Sequence, residues 1–139
     1  MPRNLLDKAE AAFEQIERSK AKDMLLHRDL HHENILWDER SGWLAIDSKG
    51  VIGAPCLEVG RFVQNQLPHH LPTERLVALV HERIQMFSSE LGYPVETIAA
   101  SALVDCVLSH CWSLEEQTLD EEWYRVVELA RLLHQMYGL

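Results

Sequence analysis

Apolar residues recur at helical spacing over most of this chain. Leu5, Leu6, Ala9, Ala12, Phe13 and Ile16 predict an amphipathic helix from residue 4 to about 20, with Asn4 as its N-cap. Leu76, Leu79, Val80, Arg83, Ile84, Phe87 and Leu91 form a second stripe. Val95, Ile98, Ala99, Ala102, Leu103, Cys106 and Val107 form a third, parted from the second by Gly92 and Pro94. Trp123, Val126, Val127, Ala130, Leu133 and Tyr137 form the last, and Thr118 with Glu121 fits a capping box before it. Aromatic residues at this spacing pack inward, so Phe87, Trp112 and Trp123 are expected in the core.

Between the first and second stripes the pattern changes. Met24-Leu25-Leu26 is a short apolar run, followed by the polar segment His27–Asn34. Ile35-Leu36-Trp37 and Trp43-Leu44-Ala45-Ile46 flank Asp38-Glu39-Arg40-Ser41-Gly42, which predicts a β-hairpin. Its strands are antiparallel, so its two ends, Asn34 and Asp47, lie side by side. Beyond it the chain is rich in Gly and Pro (Gly50, Gly53, Pro55), and a short helix is expected between Leu57 and Gln66. Pro68-His69-His70-Leu71-Pro72 reads as an exposed connector. The predicted fold is mainly α with one small hairpin, and residues 1–139 form a single domain.

Composition narrows the partners. Net charge is −9, from 22 acidic and 13 basic residues, which excludes a general nucleic-acid binder. Cys56, Cys106 and Cys111 are odd in number and lack zinc spacing, so reduced thiols in a cytoplasmic protein are expected, with no zinc. The longest apolar stretch, Ile98–Leu108, is interrupted by Ser101 and Asp105. No membrane span and no signal peptide are expected. His27, His31 and His32 cluster in sequence, but neighbours on an extended loop point apart, which argues against a dedicated metal site.

The polar segment carries the chemistry. His27-Arg28-Asp29-Leu30-His31-His32-Glu33-Asn34, followed by Ile46-Asp47, matches the kinase catalytic-loop pattern H-R-D-L-x-x-x-N and its downstream acid. Phosphoryl transfer needs a carboxylate beside the attacking hydroxyl, and an amide and a second carboxylate for the metal on the phosphates. Asp29, Asn34 and Asp47 are those three types in that order.

The wording of the segment is more specific. His27-x-Asp29-Leu30-His31-His32-x-Asn34-Ile35-Leu36, then Trp43–Asp47 with Lys49-Gly50-Val51-Ile52-Gly53, then Glu58-Val59-Gly60-Arg61-Phe62, resembles the aminoglycoside phosphotransferases. The likeness is greatest to the streptomycin 6-kinase branch, the aminoglycoside/hydroxyurea antibiotic-resistance kinases. Cys111-Trp112-Ser113-Leu114-Glu115 is similar to that branch's C-terminal helical region. The resemblance implies a kinase-like C-terminal lobe using Mg-ATP and a hydroxylated small molecule, such as a cationic aminosugar. It implies that Asp29 is the catalytic carboxylate and that Asn34 and Asp47 hold magnesium. His27 would anchor the loop and Glu58 would brace it. Lys49 is a further candidate for contact with phosphate or substrate. The acids Glu115, Glu116 and Asp120-Glu121-Glu122 are candidates for a cationic substrate, or simply a solvated face.

Two positions depart from the family pattern: Arg28 stands where Gly is usual, and Ser48 where Pro is usual. Only 28 residues precede Asp29, too few for an ATP-binding lobe, and no Gly-rich loop or strand lysine is found. The N-terminal lobe is therefore expected to be absent, and the isolated chain weak or inactive. The rival expectation is a non-catalytic kinase-like remnant that binds or oligomerises through the surface left by the missing lobe.

Overall fold

The computed structural model describes residues 2–68, 70–117 and 122–139, with the side chains of 122–124 excepted. The elements run α1 (Arg3–Ser19), β1 (Met24–Leu26), β2 (Ile35–Asp38), β3 (Gly42–Ala45), β4 (Val51–Gly53), α2 (Gly60–Gln64), α3 (Thr73–Leu91), α4 (Val95–Glu115) and α5 (Glu122–Tyr137). The predicted capping box at Thr118 and Glu121, His69, the side chain of Trp123 and the acidic run at 120–122 fall outside the described side chains.

Helix α4 is the centre, and α1, α2, α3 and α5 all pack against it. Its buried positions run almost without a break from Ile98 to Val107. By length and mean hydropathy (1.3) it would also pass for a membrane-crossing helix, which the sequence reading did not anticipate. Here its apolar surface is instead taken up by four neighbouring helices, as in the core helix of a globular domain. Helix α1 lays Leu5, Ala9, Ala12 and Ile16 on that core, with α3 adding Leu76, Val80 and Ile84, and α5 adding Val127, Ala130 and Leu133.

Several expectations need correction. The N-cap of α1 is Pro2, whose carbonyl accepts the Leu5 N–H at 3.0 Å, so Asn4 sits inside the first turn. Leu6 and Phe13 face outward, because the buried stripe is narrower than the run of apolar residues. Trp112 is 46% exposed, on the open side of the last turns of α4. The helix expected over 57–66 is split into a 3-10 turn, Pro55–Glu58, and α2.

The hairpin forms as expected, with Leu36 opposite Leu44 and Trp37 opposite Trp43. The two indoles meet edge-on at 5.3 Å. Asp38 Oδ1 closes the turn by accepting the N–H groups of Arg40 (3.0 Å) and Ser41 (2.8 Å), and these bonds hold its carboxyl below the usual range. Gly42 ends the turn at φ 78°, a left-handed value that glycine adopts freely. A second two-stranded sheet was not anticipated: β1 pairs antiparallel with β4, Leu25 opposite Ile52. The Gly-rich stretch after Asp47 is thus partly strand. Both sheets present apolar side chains outward, with Leu25, Ile52 and Trp43 each more than 70% exposed.

Candidate active site

The segment His27–Asn34 crosses from β1 to β2 and is tied at both ends. At its start, the N–H groups of His27 and Arg28 donate to Glu58 Oε2 (2.7 Å) and Oε1 (3.1 Å), so one carboxylate spans two adjacent amides. The His27 ring donates from Nε2 to the Ile46 carbonyl at 2.6 Å. That tautomer leaves Nδ1 to accept the Asp29 N–H at 3.3 Å. The His27 carbonyl accepts the Lys49 N–H at 2.9 Å. The imidazole therefore joins the loop to the far end of the hairpin.

At its other end, Asn34 is buried and donates from Nδ2 to the Asp29 carbonyl at 3.0 Å. The Ile46 N–H donates to the Asn34 carbonyl at 2.9 Å, which sets the two bases of the hairpin side by side. Asp47 follows with φ 58°, a left-handed conformation that aspartate tolerates better than most residues. Its side chain is 71% exposed.

Two cationic side chains and an imidazole approach the Asp29 carboxylate. Lys49 Nζ lies 3.4 Å from Oδ2 and 3.8 Å from Asp47 Oδ2. His31 Nε2 lies 3.6 Å and Arg61 Nε 3.9 Å from Oδ1. The Arg61 Nε–H is buried without a hydrogen bond, while its Nη1 donates to Ser109 Oγ at 3.1 Å. The three histidines go separate ways: His31 pairs with Glu33 at 2.6 Å, and His32 donates to Asn65 Oδ1 and stacks on Phe62. Among the described residues no three His, Cys, Asp or Glu side chains converge on a metal position.

Arg61 also lines a cavity of about 320 Å³. Its polar lining includes Glu33, Arg61, Gln64, Asn65 and Gln66, and its apolar lining Leu67, Leu76 and Leu129. Hydrogen bonds from Gln66, then His31, pull the Glu33 carboxyl down to about 2. Exposed Glu115 and Glu116, at the end of α4, are not among the described lining residues.

The oxygen donors suit a small hard cation. Asn34 spends its amide nitrogen on the Asp29 carbonyl, which leaves Oδ1 as its available oxygen, and the Asp47 carboxylate is open to solvent. Asn34 and Asp47 thus fit magnesium chemically.

Sequence reasoning brought Asp29, Asn34, Asp47, His27 and Glu58 to this place. It gave no separate role to Arg61, His31 or Glu33, and it missed Asp105. The Asp105 carboxylate on α4 receives the Arg28 guanidinium (Nη2–Oδ1 3.0 Å). The signal was present: Asp105 is the lone carboxylate within the most apolar stretch of the chain.

A family model described as aminoglycoside/hydroxyurea antibiotic resistance kinase matches residues 2–117. The streptomycin 6-kinase of Streptomyces glaucescens is 27% identical over 94 residues, covering 68% of this chain and 31% of that protein. The streptomycin 6-kinase of Streptomyces griseus is 28% identical over the same length and shares. A hydroxyurea phosphotransferase of Kitasatospora aureofaciens is 44% identical over 57 residues, 41% of this chain and 16% of that protein. The chain spans about a third of the length of the two streptomycin kinases. No solved structure matches it. With the motif residues gathered on one edge and the family match running through α4, the chain belongs to the aminoglycoside/hydroxyurea antibiotic resistance kinase family.

Proposed function

We propose that this chain is the C-terminal, acceptor-binding lobe of a small-molecule kinase that moves the γ-phosphoryl group of ATP to a substrate hydroxyl. One observation carries the reading. The Asp29 carboxylate stands 3.9 Å from Arg61, which lines a cavity, and sits on a loop whose far end sets Asn34 against the strand that leads to Asp47.

In the step itself, the acceptor oxygen forms a bond to the γ-phosphorus as the bond to the β–γ bridging oxygen breaks and ADP leaves. The hydroxyl proton passes to the Asp29 carboxylate. Asp29 orients that hydroxyl, and positioning of this kind is most of what phosphoryl transfer asks of a protein. Asn34 Oδ1 and Asp47 would hold magnesium, which when bound neutralises charge on the phosphates. Lys49 and Arg61 keep positive charge beside Asp29, and His27 and Glu58 hold the loop backbone. Streptomycin and hydroxyurea, named for the relatives, are the acceptor types to try first. The ATP supply and the free thiols suit a cytoplasmic setting.

A second reading has its own observation. The outward apolar faces of the two sheets, at Leu25, Ile52, Trp37 and Trp43, suit a covering surface. In the kinase reading the ATP-presenting lobe supplies it; in a kinase-like binding module another copy of the chain does.

The test is Mg-ATP titration by calorimetry together with radiolabelled phosphate transfer to streptomycin and to hydroxyurea. Wild type is compared with Asp29→Asn. The kinase reading expects turnover that the substitution lowers by about 10²–10⁴-fold. Turnover indifferent to Asp29→Asn, or neither ATP binding nor transfer, overturns it in favour of the binding module.

A further inference from the structure

We infer that Arg28 and Asp105 are a positioning pair, which fixes the Asp29 loop onto the central helix α4. The inference rests on the kinase reading for its consequence in catalysis, but not for its geometry.

Arg28 has φ 60°, in the left-handed region that glycine occupies freely and a long side chain does not. Something must hold it there. Its N–H donates to Glu58 Oε1 at 3.1 Å. Its guanidinium turns away from the Asp29 carboxylate and into the protein. There Nη2 donates to Asp105 Oδ1 at 3.0 Å, Nη1 lies 3.4 Å from Oδ2, and Nη1 also donates to the Leu57 carbonyl. The side chains are 11% and 4% exposed, so the pair is almost wholly out of water. A buried carboxylate of this kind is costly unless paired, and a two-pronged guanidinium is the partner that meets both its oxygens.

Arg28 and Asp29 share a peptide bond. The backbone turn that Arg28 is held in therefore sets the direction in which the Asp29 side chain leaves the loop. Among the described residues, Arg61 and Glu58 also act on the Asp105 charge. Arg61 also stands beside Asp29, and Glu58 holds the same loop by its amides, so the whole charge cluster converges on one short segment. Burial lifts the Asp105 carboxyl to about 6 against the pull of Arg28, which gives the pair a pH signature.

The discriminating variant is Arg28→Gly. Glycine suits the left-handed backbone better than arginine does, so a merely tolerated side chain predicts unchanged loop protection and unchanged or better stability. A positioning role predicts the opposite for the loop. The amides of His27, Asn34 and Lys49 should exchange with solvent about tenfold faster, a ratio matching one lost charge-assisted hydrogen bond. At the same time kcat should fall at least about tenfold with the KM for ATP nearly unchanged. Arg28→Lys, which keeps a cation in reach, should recover part of both. In wild type the same amides should lose protection, beyond the intrinsic pH effect, as pH falls through about 6; Asp105→Asn should abolish that step. Unchanged exchange in Arg28→Gly overturns the inference. Faster exchange without any turnover in wild type supports the pair and removes the kinase reading instead.

Discussion

Gly60 offers the sharpest test of how α2 is seated on α4. A Cβ at this position would overlap Asp105 Oδ2 and stand 2.5 Å from the Ser101 carbonyl oxygen and 2.8 Å from its carbon. Ordinary contact begins near 3.4 Å, so the two backbones would have to part by roughly 0.9 Å at this point. Neither neighbour can move cheaply: Ser101 O is main chain in a buried helix, and Asp105 is held by Arg28. Overpacking costs about 1–3 kcal/mol where side chains can adjust, and the upper figure applies against backbone. The usual gain from Gly→Ala in a helix, about 1 kcal/mol, has the opposite sign. Gly60→Ala is therefore expected to destabilise by about 2 kcal/mol or more, and to lower Tm by roughly 5–10 °C in a chain of this size. Urea unfolding followed by far-UV circular dichroism measures it. Gly60 has no left-handed φ, so backbone strain would not confuse the result. Stability unchanged or raised would refute the close approach of α2 to α4.

Two further outcomes follow from the same neighbourhood. The folded Asp105 carboxyl sits at about 6 against an ordinary 3.8, so the folded protein binds the extra proton between those values. Its contribution to stability is thus fully present below 3.8 and lost as pH rises through 6, by roughly 3 kcal/mol. Wild type and Asp105→Asn should then differ in the slope of unfolding free energy between pH 4 and 6, and parallel profiles would contradict this. Protonation relieves the cost of burying the charge while weakening the grip on Arg28, so global stability and loop protection should move in opposite directions. Glu58→Gln leaves one carbonyl oxygen for two amides; a loss of about 1–3 kcal/mol in urea unfolding is expected, and no loss would show that the amides find other partners.

What was legible in the sequence was local. The hairpin could be read because its turn residues close on themselves, Asp38 capping Arg40 and Ser41 within three positions. The long helices could be read from their stripes. Sheet β1–β4 could not, because three-residue strands separated by the Asp29 loop and the hairpin have no periodicity to show, and only tertiary packing sets their register. Trp112 was misplaced because α4 is apolar nearly all round, so spacing does not say which side is open. For the site, the motif located Asp29, Asn34 and Asp47. The partner of Arg28 lies 77 positions away, and no local rule reaches that far. The backbone at position 28 takes a left-handed φ of 60°, which glycine adopts most easily, and this chain supplies arginine there.

The ammonium of Lys49 has a consequence beyond its distances. It sits within 4 Å of both Asp29 and Asp47, tethered by its own backbone to the His27 carbonyl. Two carboxylates facing one opening would otherwise repel, and one would have to give up its charge or swing away. The Lys49 ammonium is a built-in counter-ion between them that offsets this repulsion and holds the two acids on one edge. In the kinase reading, a magnesium ion held by Asn34 and Asp47 would compete with this lysine for Asp47, and a lysine that is 54% exposed has solvent to retreat into. Metal affinity in that reading would be a difference between two cations' claims on one carboxylate.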